Sequence, residues 1–220
     1  MAGRRARMIG TEEDKFNCPF YFKIGACRHG ERCSRTHLRP NFSQTIIFPH
    51  LYMAPPVDPV TQVARDETEH FEEFYEDILE EFMKFGEIEE MHVVENLGDH
   101  MNGNVYIKFH YEEDAGNCLN AMNGRFYAGR TLASEFSPVT DFREARCRQF
   151  DEDVCSRGGF CNFMHLKRVP RFLRKMMRKG KKKKSRGRER SPSLDPDRTF
   201  TRATSEERRG MYLVFSYLFV

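Results

Sequence analysis

An α+β fold is predicted for this chain. A ferredoxin-like βαββαβ unit at residues 43–137 is bracketed by two small metal-binding loops, 12–40 and 141–168, and followed by a basic, mostly disordered tail, 169–220. Three observations predict it. Six of the seven cysteines fall into two nearly identical arrays, each closed by a histidine. Between the arrays the apolar period alternates between strand-like and helix-like steps. Charge is segregated: residues 66–90 hold twelve acidic side chains and one lysine, whereas 165–190 hold fourteen basic side chains and one glutamate. Such blocks point to separate partners for separate segments, the basic one favouring nucleic acid. At 220 residues, 39% hydrophobic and 31% charged, the chain has room for one or two compact domains and not for a large multidomain enzyme.

The first array is Cys18, Cys27, Cys33 and His37, spaced C-x8-C-x5-C-x3-H. Four donors at these gaps suit zinc, which takes thiolate sulfur at about 2.3 Å and imidazole nitrogen at about 2.0 Å in a tetrahedron. Gly30 stands three residues after the second cysteine, where the loop must turn tightly. The same logic holds for Cys147, Cys155, Cys161 and His165, spaced C-x7-C-x5-C-x3-H with Gly158 at the turn. Without a secretion signal at the N-terminus, cysteines in such arrays read as metal ligands rather than disulfides. Three thiolates and an imidazole fill all four positions, so both zinc ions are structural and neither activates water. The remaining histidines, among them His29 and His100, are scattered and read as ordinary surface residues.

The loops interleave aromatic and cationic side chains: Phe20, Tyr21, Phe22, Lys23, Arg28, Ser34 and Arg35 in the first, Arg148, Phe150, Arg157, Phe160, Asn162 and Phe163 in the second. Rings beside cations on a small exposed loop suit single-stranded bases, through stacking and phosphate attraction. A module this small also has little other core, so about half of these rings are expected to pack around the metal.

Between the loops, Gln44 to Tyr52 reads as a strand and Pro55, Pro56 and Pro59 as a loop. Phe71, Phe74, Tyr75, Ile78, Leu79 and Phe82 recur at three- and four-residue steps, predicting a helix over 66–85. Its other face carries Glu69, Glu72, Glu73, Glu76, Asp77, Glu80 and Glu81, directed to solvent. Strands follow at Ile88–Val94 and 103–109, a second helix at Asp114–Met122 with Cys118 in its core, and a last strand at Leu132–Phe136. The stretch Asn102–Phe109 lines up with the eight-residue signature of an RNA recognition motif (RRM). At the three sheet positions where such domains stack bases, this chain has Ile47, Asn104 and Tyr106. One aromatic is a poor platform, and an acidic helix repels phosphate. A domain that binds a protein, not RNA, is expected.

Several stretches carry a closer likeness: Phe22–Ser34, Asn41–Thr45, Asn96–His100, Ser137–Ala145 and Arg157–His165. Over roughly residues 9–168, and in its finger–RRM–finger order, the chain resembles the small subunit of the U2 auxiliary factor, a heterodimeric pre-mRNA splicing factor. The resemblance implies a U2AF-homology-type RRM that holds a tryptophan-containing peptide of the large subunit. It also implies two CCCH fingers that together read the AG dinucleotide of single-stranded pre-mRNA at the 3′ splice site. Carried over, the eight metal ligands match, and Phe20, Arg28, Ser34 and Arg35 fall on RNA-contacting positions. Arg125, Phe126 and Tyr127 occupy the Arg-x-Phe element that clasps the partner's tryptophan, with Phe126 where that family usually has tryptophan. Glu76 and Glu80 would receive a basic partner. The implied location is the nucleus, and the implied role is binding, not enzymatic.

In place of a long arginine–serine tail the chain has Lys181–Lys184, Ser185-Arg186 and Arg190–Ser193, a vestige that reads as an import signal, a nonspecific RNA contact or simple disorder. The apolar stretch 211–220 is too short to span a membrane, which needs about 20 residues. The alternative reading is a stand-alone CCCH regulator of mRNA stability. Failure to bind any tryptophan-containing peptide would favour it.

Overall fold

In the computed structural model, which describes residues 16–55 and 66–177, one antiparallel sheet has order β2-β3-β1-β6. Its strands are β1 (Thr45–Phe48), β2 (Ile88–Val93), β3 (Val105–Phe109) and β6 (Glu135–Phe136). A hairpin of β4 (Phe126–Tyr127) and β5 (Arg130–Thr131) stands apart. Helices α2 (Glu67–Met83) and α3 (Glu112–Met122) give the predicted βαββαβ order. Finger 1 contains α1 (Pro19–Ile24); finger 2 contains α4 (Phe142–Ala145), ahead of its first ligand Cys147, and α5 (Arg148–Asp151). Residues 171–177 form a last helical segment. The expectations for the N-terminus, for Pro56 and Pro59, for the lysine run and arginine–serine vestige, and for 211–220 lie outside the described residues.

Helix α2 starts where the Asp66 carboxylate accepts the Thr68 N–H at 2.8 Å, satisfying a donor that the first turn leaves without a helical partner. Its six predicted apolar residues are all 6% exposed or less. They pack with Ile46, Phe48, Val105, Ile107 and Phe109 from the sheet and Ala115, Cys118 and Met122 from α3. Helix α3 begins two residues earlier than expected, because Glu112, Glu113 and Asp114 form its first turn, where negative charge is favourable. Gly86 marks a close approach: a Cβ there would come within 2.4 Å of Asp114. Burial pushes the Cys118 thiol pKa up, as expected of a core cysteine. Among the described residues no helix is long and apolar enough to cross a membrane.

Three expectations need correction. The first strand runs Thr45–Phe48 and does not reach Tyr52, because the chain turns at Pro49-His50, where His50 has φ +54°. The last strand is shorter than Leu132–Phe136, because Leu132 to Ser134 are hydrogen-bonded to the loop after α3. Leu132 N donates to Arg125 O at 2.7 Å, and Ser134 N to Asn123 Oδ1 at 2.7 Å. Only Glu135 and Phe136 remain to pair with β1. Glu81, placed on the solvent face by its spacing, is 8% exposed. It accepts from Arg125 at 3.0 Å and pairs with Lys84.

The outer face of the sheet is covered. Ile47 is 3%, Asn104 2% and Tyr106 0% exposed. Ile47 and Tyr106 lie opposite one another in the β1–β3 register. They form a second apolar core with Ile24 and Ala26 of finger 1, Val139 of the link before finger 2, and Phe142, Ala145 and Met164 of finger 2. The Tyr106 hydroxyl donates to the Ile24 carbonyl at 2.8 Å, and its ring meets Phe142 edge-on at 5.9 Å. The surface that stacks bases in an ordinary RRM is here a floor under both fingers. Gly25 ends α1 with φ +75°, and a Cβ on it would meet Ser137 Oγ at 2.5 Å and the Tyr106 ring at 3.2 Å. Finger 1 docks this closely only with glycine there.

Removing the Tyr106 hydroxyl leaves a buried carbonyl without this donor. Tyr106→Phe is expected to lower stability by about 1–2 kcal/mol in urea unfolding and to speed zinc loss to a chelator.

Candidate metal centres and nucleic-acid interface

In finger 1, Cys18 precedes α1, Cys27 follows the Gly25 turn, and a 3-10 turn at Gly30–Arg32 delivers Cys33, with His37 beyond it. The Sγ atoms of Cys18 and Cys27 are 3.7 Å apart, those of Cys27 and Cys33 3.9 Å. In finger 2 the Cys147–Cys155 and Cys147–Cys161 separations are 3.8 and 3.9 Å. A tetrahedron with 2.3 Å arms has edges of about 3.8 Å, whereas a disulfide needs about 2.05 Å. None of the seven cysteines forms a disulfide. The buried Nε2 atoms of His37 and His165 have no hydrogen-bond partner, as expected of nitrogens kept for a metal. Each Cys3His set has its four ligand atoms within 4.8 Å of one another. The donors fit two structural zinc ions, held by Cys18, Cys27, Cys33 and His37 and by Cys147, Cys155, Cys161 and His165.

An aromatic ring backs each histidine. Tyr21 stacks on His37 with centroids 4.5 Å apart, and Phe150 on His165 at 4.0 Å. Both rings stand three residues after the first cysteine of their array, in the first turn of a short helix. Of the RNA candidates, Phe150 therefore has one face occupied by a metal ligand. Phe20, Lys23, Arg28, Ser34, Arg35, Arg148 and Arg157 are exposed. Phe163 is half-buried, with the Arg157 guanidinium 5.8 Å from its ring centroid, a cation–π arrangement.

Both fingers contribute to one cleft of about 260 Å³. Phe20, Arg28 and His29 line it from finger 1, Asn162 from finger 2, and His100 from the turn between β2 and β3. Sequence position gives no reason to pair His29 with His100. Only the docking of the fingers on the sheet brings them together.

The residue whose importance is least visible in the sequence is Asn96. Fully buried in the same turn, it donates from Nδ2 to the carbonyls of Cys161 at 2.9 Å and Phe163 at 3.1 Å, and accepts the His165 N–H at 2.7 Å. Glu95 N to His165 O, Leu97 N to Gly159 O and Lys167 N to Val93 O extend this seam. The RRM thus holds the backbone on either side of two finger-2 ligands. An asparagine in a turn, within one of the stretches that carry the likeness, is the signal that the sequence offers.

On the opposite side, α2 and the β4–β5 hairpin enclose a second cleft of about 250 Å³. His70, Glu73, Phe74 and Asp77 line it from α2, Tyr127 and Arg130 from the hairpin. Tyr127 is buried edge-on against Phe74, Phe126 is 51% exposed, and Arg125 is engaged with Glu81. The acids at the cleft are Glu73 and Asp77, while Glu76 and Glu80 are exposed outside its lining. Burial, then the charges of Glu80, Glu73 and Glu76, holds the Asp77 carboxyl above the usual carboxylate range.

The RNA recognition motif family model matches residues 75–133, and the C-x8-C-x5-C-x3-H zinc-finger model matches 13–39. Among named proteins, the splicing factor U2AF 23 kDa subunit of Schizosaccharomyces pombe is 53% identical over 180 residues, covering 80% of this chain and 83% of that protein. The Drosophila melanogaster U2af 38 kDa subunit is 51% identical, covering 87% and 76%. A U2af small subunit of Arabidopsis thaliana is 53% identical over 80% of this chain, which spans 65% of that protein's length.

Asn96→Ala removes three hydrogen bonds from a buried seam, a loss expected to cost about 2–4 kcal/mol. Amide exchange at Cys161, Phe163 and His165 should rise while that of finger 1 stays put; equal loosening of both fingers would contradict the assignment.

Proposed function

As this chain belongs to the family of small subunits of the U2 auxiliary factor, a pre-mRNA splicing factor, we propose that its two fingers together read the AG dinucleotide at the 3′ splice site. The observation that carries the reading is the shared cleft, lined from finger 1, from finger 2 and from the RRM turn between them. A ring (Phe20), a guanidinium (Arg28) and an amide (Asn162) around one opening supply stacking, phosphate attraction and base-edge hydrogen bonding. Ser34, Arg35, Arg148 and Arg157 stand exposed on the same fingers to meet the flanking backbone. With four protein ligands on each zinc, the reading is of a binding protein that performs no chemical step. It acts in the nucleus.

The second cleft is proposed to take the tryptophan-containing peptide of the large subunit. Phe74 and Tyr127 offer aromatic walls, Phe126 is exposed on the same hairpin outside the cleft's lining, and Glu73 and Asp77 favour cations beside the tryptophan. Docking the large subunit raises the effective concentration of the fingers at an adjacent AG, so that two modest affinities act as one.

Titrating the zinc-loaded chain against short RNAs ending in UAG or UAC tests the first half. Tighter binding to UAG, strengthened by a large-subunit tryptophan peptide, is expected. Equal binding to both sinks the AG reading, and failure to bind the peptide favours the stand-alone regulator. Cys33→Ala or Cys161→Ala should abolish RNA binding and leave peptide binding intact.

The raised Asp77 pKa gives the second cleft a pH signature. The folded state binds this proton more readily than the unfolded chain, so this group's contribution to stability falls as pH rises through its folded pKa. A cationic peptide prefers the ionised carboxylate, so its affinity should rise over the same range. Calorimetry against pH on the chain and on Asp77→Asn should show both slopes shrinking in the variant.

A further inference from the structure

We propose that Arg171, Phe172 and Lys175, on the helical segment after finger 2, form a further contact for the single-stranded RNA held by the fingers. The proposal rests on the fingers binding RNA, not on which bases they read. Residues 166–177 hold five basic side chains and no acidic one. Lys167 is paired with Glu67 and also lies over the rings of Tyr52 and Phe71. Arg168 is spent on both carboxylate oxygens of Asp153 in finger 2, at 2.7 and 3.0 Å. Among the described residues, no acidic side chain pairs with Arg171, Arg174 or Lys175.

The segment is anchored. Leu173 is fully buried in the main core, with Val169, Met176 and Met177 packed against the same cluster. The opposite face presents residues 171, 172 and 175, which helical spacing places together. Phe172 is 47% exposed, so a ring is presented beside two cations on an anchored segment. That is the composition of a platform for an unpaired base and its phosphates.

Continuity with the fingers selects RNA over an acidic protein. Arg171 is six residues beyond the zinc ligand His165, and six residues span at most about 20 Å. The Arg168–Asp153 pair fastens the connecting stretch to finger 2 itself. A strand that leaves finger 2 along this connection would meet the platform next.

The test uses the zinc-loaded full chain and RNAs with one UAG core, unextended or lengthened by about six uridines at either end. One extension should tighten binding. The Arg171→Ala/Phe172→Ala/Lys175→Ala variant should lose that gain and keep its affinity for the unextended core, which also reports that the fingers remain folded. With two phosphate contacts gone, the slope of log K against log salt on the extended RNA should shrink by about 1.4, and Phe172→Ala alone should cost about tenfold. No gain from either extension, or an equal gain in the variant, overturns the proposal. So does a variant that instead loses affinity for polyglutamate. The UAG-to-UAC ratio on unextended RNA tests the AG reading separately, so either can fail alone.

Discussion

The outer face of the sheet has to be buried, and most of the molecule follows from how that is done. A four-stranded sheet with helices on one side leaves the other side to water, to a ligand or to more protein. In this chain Ile47 and Tyr106 put apolar surface there, and at roughly 25 cal/mol per Å² its burial favours any segment that covers it. The covering segments are the two fingers and the link before the second. Each is held to the RRM by directional bonds as well as by packing: Tyr106 to Ile24 on one side, Asn96 to Cys161, Phe163 and His165 on the other.

That arrangement turns two modules with little core of their own into one surface. A CCCH loop is ordered chiefly by its metal, and the stacked pairs Tyr21–His37 and Phe150–His165 add one ring each. Nothing in such a loop fixes its direction relative to a second loop more than a hundred residues away. The shared floor does so, and the cleft between Phe20, Arg28 and Asn162 exists because of it. The sheet face that could have stacked bases instead positions the two fingers.

Charge is partitioned along the same lines. The acids of α2 flank the second cleft, beside Phe74 and Tyr127, and repel phosphate from that side. Cations outnumber acids on finger 1 and on the segment after finger 2. Where the two meet, Lys167 is paired with Glu67 of α2.

Local chemistry was readable directly. Eight metal ligands, the amphipathic period of α2 and the order of strands and helices each depend on residues near one another in sequence, so spacing alone determined them. The tertiary structure decided what depends on distant residues meeting. Tyr106 reads as a weakened stacking position until Ile24 and Phe142 lie on it. Glu81 reads as a solvent-facing acid until Arg125 closes over it. His29, His100 and Asn96 carry no periodic signal because their partners lie about 65 or more residues away. Long-range packing sets exposure, and exposure decides whether a ring, a carboxylate or an amide is a site or a support.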